Sequence, residues 1–202
     1  MRILALGAFL LIARPSVGAQ AAAPVDMNLD FTLHERQGGQ SIVFRSNDGL
    51  TMLKVVNVLG ATVEHLHTVA RLTGELQAAG LPVNIFSVLP LVGGGHGLAS
   101  PFVAGERLDD VIQRLTFRPK EFGGRLPDGR ALLKRAAQVI EEIRVQTNGL
   151  EDVPTDLDRN SDYTQNFIHA PTPEDPHRIV NIDPIDIYRV VRRGQDARKP
   201  LF

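Results

Sequence analysis

Cysteine is absent from the 202-residue chain. Disulfides and thiolate metal sites are therefore excluded, and the chain is compatible with an oxidising or a reducing compartment. Basic excess is missing too. The 22 Lys and Arg meet 23 Asp and Glu, for a net charge of -1, which gives no support for a nucleic-acid binder. Long apolar runs are also lacking. The stretch Ile3 to Ala13 is too short to span a bilayer comfortably and is interrupted by Arg14-Pro15, so no membrane partner is expected. The six histidines form no convincing metal set, because His65 and His67 share one predicted helix but point apart.

With 43% apolar and 22% charged residues, the chain has the makings of one soluble globular domain with a real core. Its first segment reads differently from the rest. Met1-Arg2, the apolar run, and Ser16-Val17-Gly18-Ala19-Gln20-Ala21 with small residues at Ala-x-Ala positions resemble a secretory signal peptide over 1-23. Export is expected, with a periplasmic location as the alternative. Residues 189-202 are read as a solvated basic tail.

Between these ends, Ser41 to Arg45 and Thr51 to Val58 read as strands joined by Ser46-Asn47-Asp48-Gly49, a strong hairpin signal. A helix follows from Gly60 to Ala79, closed by Gly80 and Pro82. Strand character returns over Val83 to Val92 and, after a glycine-rich turn, over Leu98 to Val103. Beyond Gly105 the pattern turns helical: Glu106 to Leu115, then a long helix from about Asp128 with the stripe Leu132, Ala136, Val139 and Ile143 and the stop Asn148-Gly149. Thr155 to Asn166 is polar and loop-like. Phe167 to His169 and Arg178 to Ile182 form a second predicted hairpin.

Two charges stand out in this pattern. Lys54 shares a strand face with Met52 and Val56, where an unpaired ammonium would be costly, so it requires an anionic partner. Asp183 ends the apolar run Ile179 to Ile182. One cation and one carboxylate, each in a strand-like stretch, are what a nucleotide-phosphate site needs.

The order of strands, helix, connector, helices, polar loop and acid-bearing strand pair resembles the protein-kinase-like fold over roughly Leu33 to Tyr188. The implied architecture is α+β and bilobal, a small β-rich N-lobe (31-104) over a truncated helical C-lobe (105-188). Within that resemblance, Gly38, Gly39, Ser41 and Val43 match the glycine-rich turn that covers the nucleotide, with Arg36 in place of the first glycine. Lys54 matches the third-strand lysine, with Glu75 as its helix partner and Glu64 as the alternative. Pro101 to Asp110 looks like the hinge that offers backbone groups to adenine. Asp156 matches the catalytic base, with Asp158 and Asp162 as rivals. Asn166 and Asp183 match the magnesium ligands, with Asp186 as fallback and Pro184-Ile185 in place of Phe-Gly.

The short stretch after Asp183 is similar to the minimal kinases delivered by type III secretion, the HopBF and OspG-like virulence effector families. That resemblance implies an ATP- and Mg2+-dependent kinase of Ser/Thr type, monomeric, acting on a host protein such as a eukaryotic heat-shock chaperone. Three other classes remain open: a pseudokinase that binds nucleotide or protein without catalysis, a small-molecule phosphotransferase, and a secreted α+β domain without cleft chemistry.

Overall fold

The computed structural model describes residues 23-34, 40-122, 126-152 and 162-196. The leader-like residues 1-22 and the glycines Gly38 and Gly39 lie outside them, as do Asp156 and Asp158.

A short helix α1 (Met27–Asp30) leads into β1 (Phe31–Leu33), which is followed by β2 (Ser41–Ser46) and β3 (Thr51–Val56). The β2–β3 turn forms where Asp48-Gly49 predicts it. Gly49 takes φ 76, and the Asp48 carboxylate accepts from the Leu50 amide at 2.9 Å. Helix α2 (Val63–Ala78) begins at Thr62, whose amide donates to His65 Nδ1 at 3.1 Å, and it buries Leu66, Val69, Leu72 and Leu76 at helical spacing. Strands β4 (Ser87–Pro90) and β5 (His96–Pro101) complete an antiparallel sheet in the order β1-β2-β3-β5-β4.

The second half is built on two helices and a small sheet. Strand β6 (Glu106–Arg107) precedes α3 (Leu108–Phe117), so the first two residues of the predicted helix instead pair with β7 (Phe167–His169). Helix α4 (Gly129–Thr147) starts at Asp128, whose carboxylate accepts from the Arg130 and Ala131 amides. It ends on Asn148 at φ 53, one of the few side chains that tolerate this left-handed stop. Strand β8 (Ile179–Asn181) pairs with β7, giving the order β6-β7-β8.

Two of the elements that the sequence did not reveal are instructive. β1 is only three residues long, and its Thr32 and Leu33 are exposed, so alternation had little to register. The other is α5 (Ile187–Asp196), which covers residues expected in a solvated tail. Ile187, Val190 and Val191 are buried in the main core with Leu66, Val69 and Ile143, Arg192 and Arg193 are exposed, and Arg189 is half-buried. The strand expected over Val83 to Val92 is also shorter, because Pro82 to Asn84 turns away to meet β8. The Asn181 amide donates to Pro82 O at 2.8 Å, and the Asn84 amide to Asn181 O at 2.8 Å. These bonds fix the end of β8 against the segment that follows α2.

The connector between the two sheets is pinned at both ends. Phe102 N donates to Leu50 O at 2.8 Å, and the Arg45 guanidinium lies 3.9 Å over the Phe102 ring. Gly105 sits at φ 152, where an added Cβ would lie 2.5 Å from His169 O and 2.6 Å from Ile168 Cγ2. The backbone of β7 cannot withdraw without breaking its pairing. Gly105→Ala should therefore cost about 2 kcal/mol, lowering the melting temperature by roughly 5 °C. Thermal unfolding checks this, and an unchanged midpoint would show that the connector yields freely.

Candidate active site

Lys54 emerges from β3 on the face that also carries Val43 of β2 and Leu98 of β5, its direct cross-strand neighbours. Its stem is packed, and its ammonium lies 5.1 Å from the Phe86 ring centroid. The anionic partner it requires is Asp183: Lys54 Nζ stands 2.6 Å from Asp183 Oδ2, with the lysine side chain 12% exposed. Asp183 is held just past β8 by its own amide, which donates to Asn181 Oδ1 at 3.0 Å.

Asn166 closes a 3-10 turn (Asp162–Asn166) and leads directly into β7. Its carbonyl accepts from the Ile182 amide at 2.8 Å, which places it next to the residue preceding Asp183. Its Nδ2 donates to Asp152 Oδ2 at 3.1 Å and to Asp152 O at 3.4 Å. The amide orientation that makes these bonds leaves Oδ1 as a separate acceptor. Asp152 itself follows α4 through the Asn148-Gly149 stop, and its amide donates to Pro184 O at 3.1 Å. Sheet and helices thus deliver Lys54, Asp152, Asn166 and Asp183 to one place.

The electrostatics single out Asp152. Burial pushes its carboxyl up, the charges of Asp183 and Asp186 push it further, and the Asn166 hydrogen bond and Lys54 pull it back, leaving it at about 7. A carboxyl near neutrality is both protonatable and ionisable at working pH. Such groups gather at sites that move protons.

The remaining expected residues are distributed as follows. Val43 is buried on the Lys54 face, and Ser41 stands opposite Val56 at the start of β2. Glu75 does not reach Lys54. It lies on the solvent side of α2, 57% exposed, and pairs with Arg71 one turn earlier at 2.7 Å. The core-facing stripe of α2 is set by Leu66, Val69, Leu72 and Leu76, and position 75 falls outside it. Asp183 takes the place of a helix acid as the lysine's partner. Asp186, the fallback ligand, accepts from Gln40 Nε2 at 3.1 Å and from the Tyr188 amide at 2.9 Å, so it caps α5.

Asp152 was not singled out by sequence spacing. A kinase-type loop separates base and asparagine by four residues, whereas thirteen separate Asp152 from Asn166 here. The usable signal was local: Asn148-Gly149 ends the long helix, and Leu150-Glu151-Asp152 is the first apolar-acidic step after it. No group of three or more His, Asp or Glu side chains forms a metal cluster among the described residues. Asn166 and Asp183 offer oxygen donors, which suit magnesium because that ion keeps waters and phosphate oxygens in most of its shell. No helix among the described residues is long and apolar enough to cross a membrane.

No protein-family model and no curated protein matches the chain. Among solved structures it is similar to the BubR1 kinase domain at 15% identity with a TM-score of 0.41, over 83% of this chain and 50% of that one. The chain spans half the length of that domain.

Proposed function

We propose that the chain is an ATP-dependent phosphotransferase of the protein-kinase-like type, with the nucleotide between the five-stranded sheet and the helical half. The observation that carries this reading is the convergence of Lys54–Asp183 at 2.6 Å with Asn166–Asp152 at 3.1 Å, from four separate elements. Val43 and Leu98 give an apolar roof beside Lys54. Val103 and Ala104 of the connector make no backbone hydrogen bond among the described residues, leaving their polar groups for an adenine edge.

In this reading Lys54 neutralises phosphate oxygens, and Asp183 with Asn166 Oδ1 would hold magnesium, which supplies charge neutralisation across the phosphates. Asp152 accepts the proton of an acceptor hydroxyl. The hydroxyl oxygen forms its bond to the γ-phosphorus as the bond from that phosphorus to the β–γ bridging oxygen breaks, and ADP leaves. A carboxyl poised near 7 suits that proton transfer better than an ordinary aspartate. Asp152 is thus proposed as the base, while Asp156, the base expected from the sequence, lies outside the described residues. The acceptor is proposed to be a serine or threonine hydroxyl of a host protein, with export of the chain preceding its action.

The pseudokinase reading has its own supporting observation. Pro184-Ile185 follows Asp183, and Lys54 already occupies one of its carboxylate oxygens, so nucleotide entry must reorganise that pair. Differential scanning fluorimetry with ATP and magnesium, paired with radiolabel transfer from ATP, separates the two. Wild type should be stabilised by nucleotide, with the shift lost in Asp183→Ala, and should transfer label. Stabilisation without transfer would select the pseudokinase, and no nucleotide-dependent shift would remove both.

A further inference from the structure

Arg189, on the first turn of α5, touches both segments that carry the acidic centre. Its Nη1 lies 3.4 Å from Glu151 Oε1 and 3.3 Å from Gly149 O, on the stretch that runs into Asp152. Its Nε lies 3.2 Å from Asp186 Oδ2, three residues beyond Asp183. The same two segments meet through their backbones. Glu151 and Ile185 form an antiparallel bridge, flanked by Asp152 N to Pro184 O at 3.1 Å and Asp186 N to Leu150 O at 2.9 Å. So short a ladder is weak alone. Glu151 is 7% exposed, and its Oε2 is buried with no hydrogen-bond partner among the described residues. A buried carboxylate in this state depends on the cation paired with it, which among the described residues is Arg189, with the Arg144 charge acting on it as well, since losing the pair leaves the charge poorly compensated.

We infer that Arg189 is a positioning residue that clasps the Glu151 and Asp186 segments together and so fixes Asp152 relative to Asp183. This rests on the proposed phosphotransferase reading for its catalytic meaning, although the clasp itself does not. Among the described residues the hydrogen bonds and ion pairs of Arg189 go to Gly149, Glu151 and Asp186 and not to Lys54, so its effect falls on geometry at the acids. A guanidinium fork can engage two carboxylates at once, which a single ammonium does less well.

The test combines amide hydrogen exchange with steady-state kinetics on Arg189→Met and Arg189→Lys. In Arg189→Met the Asp152 and Asp186 amides should exchange about tenfold faster while core amides of α4, such as Val139 and Ile143, keep their protection. The kcat should fall about tenfold with KM for ATP within roughly twofold, and Arg189→Lys, which retains a charge for Glu151 and safeguards folding, should fall between. Unchanged exchange at Asp152 and Asp186 in both variants overturns the clasp. Faster exchange with unchanged kcat, or with KM and kcat altered together, overturns the positioning role. A wild type that shows neither nucleotide-dependent stabilisation nor transfer overturns the phosphotransferase reading instead, leaving the clasp to be judged by exchange alone.

Discussion

Asp152→Asn should abolish most phosphate transfer, by about 10³-fold, while making the protein more stable above neutral pH. The first effect follows from removing the proposed proton acceptor at the centre of the cluster. The second follows from linkage. In the fold, burial and then the neighbouring charges of Asp183 and Asp186 raise the Asp152 carboxyl from an ordinary 3.8 to about 7. Between those values the folded protein retains a proton that the unfolded chain has released. Stability from this group is therefore complete below the unfolded value and is lost as pH rises through the folded one. Asparagine stays neutral throughout, so the advantage of the variant should grow from pH 4 to pH 7 and then level off. At pH 8 it should amount to a few kcal/mol, with about 4 kcal/mol as the ceiling set by a rise from 3.8 to about 7, and the melting temperature should rise by roughly 5–10 °C.

Nucleotide-induced stabilisation should survive in Asp152→Asn, since among the described residues the ion pair of Lys54 is made with Asp183 rather than with Asp152. Wild-type transfer should also climb as pH rises through about 7, when Asp152 becomes available as a base. Chemical denaturation at pH 4 and pH 8, beside the transfer assay, checks the whole set. An equal stability difference at both pH values would mean that Asp152 is not held protonated by the fold.

How far the sequence revealed this centre varied with the physics of each part. The β2–β3 turn and the two ends of α4 were legible because Asp48-Gly49, Asp128 and Asn148-Gly149 act through local backbone geometry that needs no distant partner. Lys54 was legible because an ammonium among apolar strand residues demands a partner, and Asp183 because an acid ends an apolar run. Their meeting is a tertiary fact that only strand order and register produce. Glu75 misled because its separation from Lys54 was weighed without the face it occupies on α2. Asp152 stayed hidden because the residues between it and Asn166 break the spacing on which the family resemblance relies. Helix α5 was obscured by its arginines. Those at 189 and 193 bond backwards to Gly149, Glu151 and the end of α4, so charges that suggested a solvated tail are anchors for a packed helix.

Lys54→Met should show whether the lysine serves the phosphates alone or also holds the acidic centre together. Methionine can occupy the same channel between Val43, Leu98 and Phe86, so the loss of volume is small and the change is mainly one of charge. Nucleotide-dependent stabilisation should vanish, and transfer should fall by about 10²- to 10³-fold, as when a preorganised charge is taken from a phosphoryl site. Without ligand, Asp183 is left beside Asp152 and Asp186 with its 2.6 Å partner gone. Because Asp183 is 35% exposed, solvent screens part of the repulsion, and the cost should be about 1–2 kcal/mol at pH 8. Acidification should reduce that cost, as Asp152 takes up its proton and no longer repels Asp183. A second change distinguishes repulsion from lost packing. Lys54→Met combined with Asp183→Asn removes both members of the pair, so it should recover most of the stability while transfer remains lost. Should the double variant be no more stable than Lys54→Met, the cost lies in packing around the lysine stem, and Asp183 does not depend on Lys54 for its place in the fold.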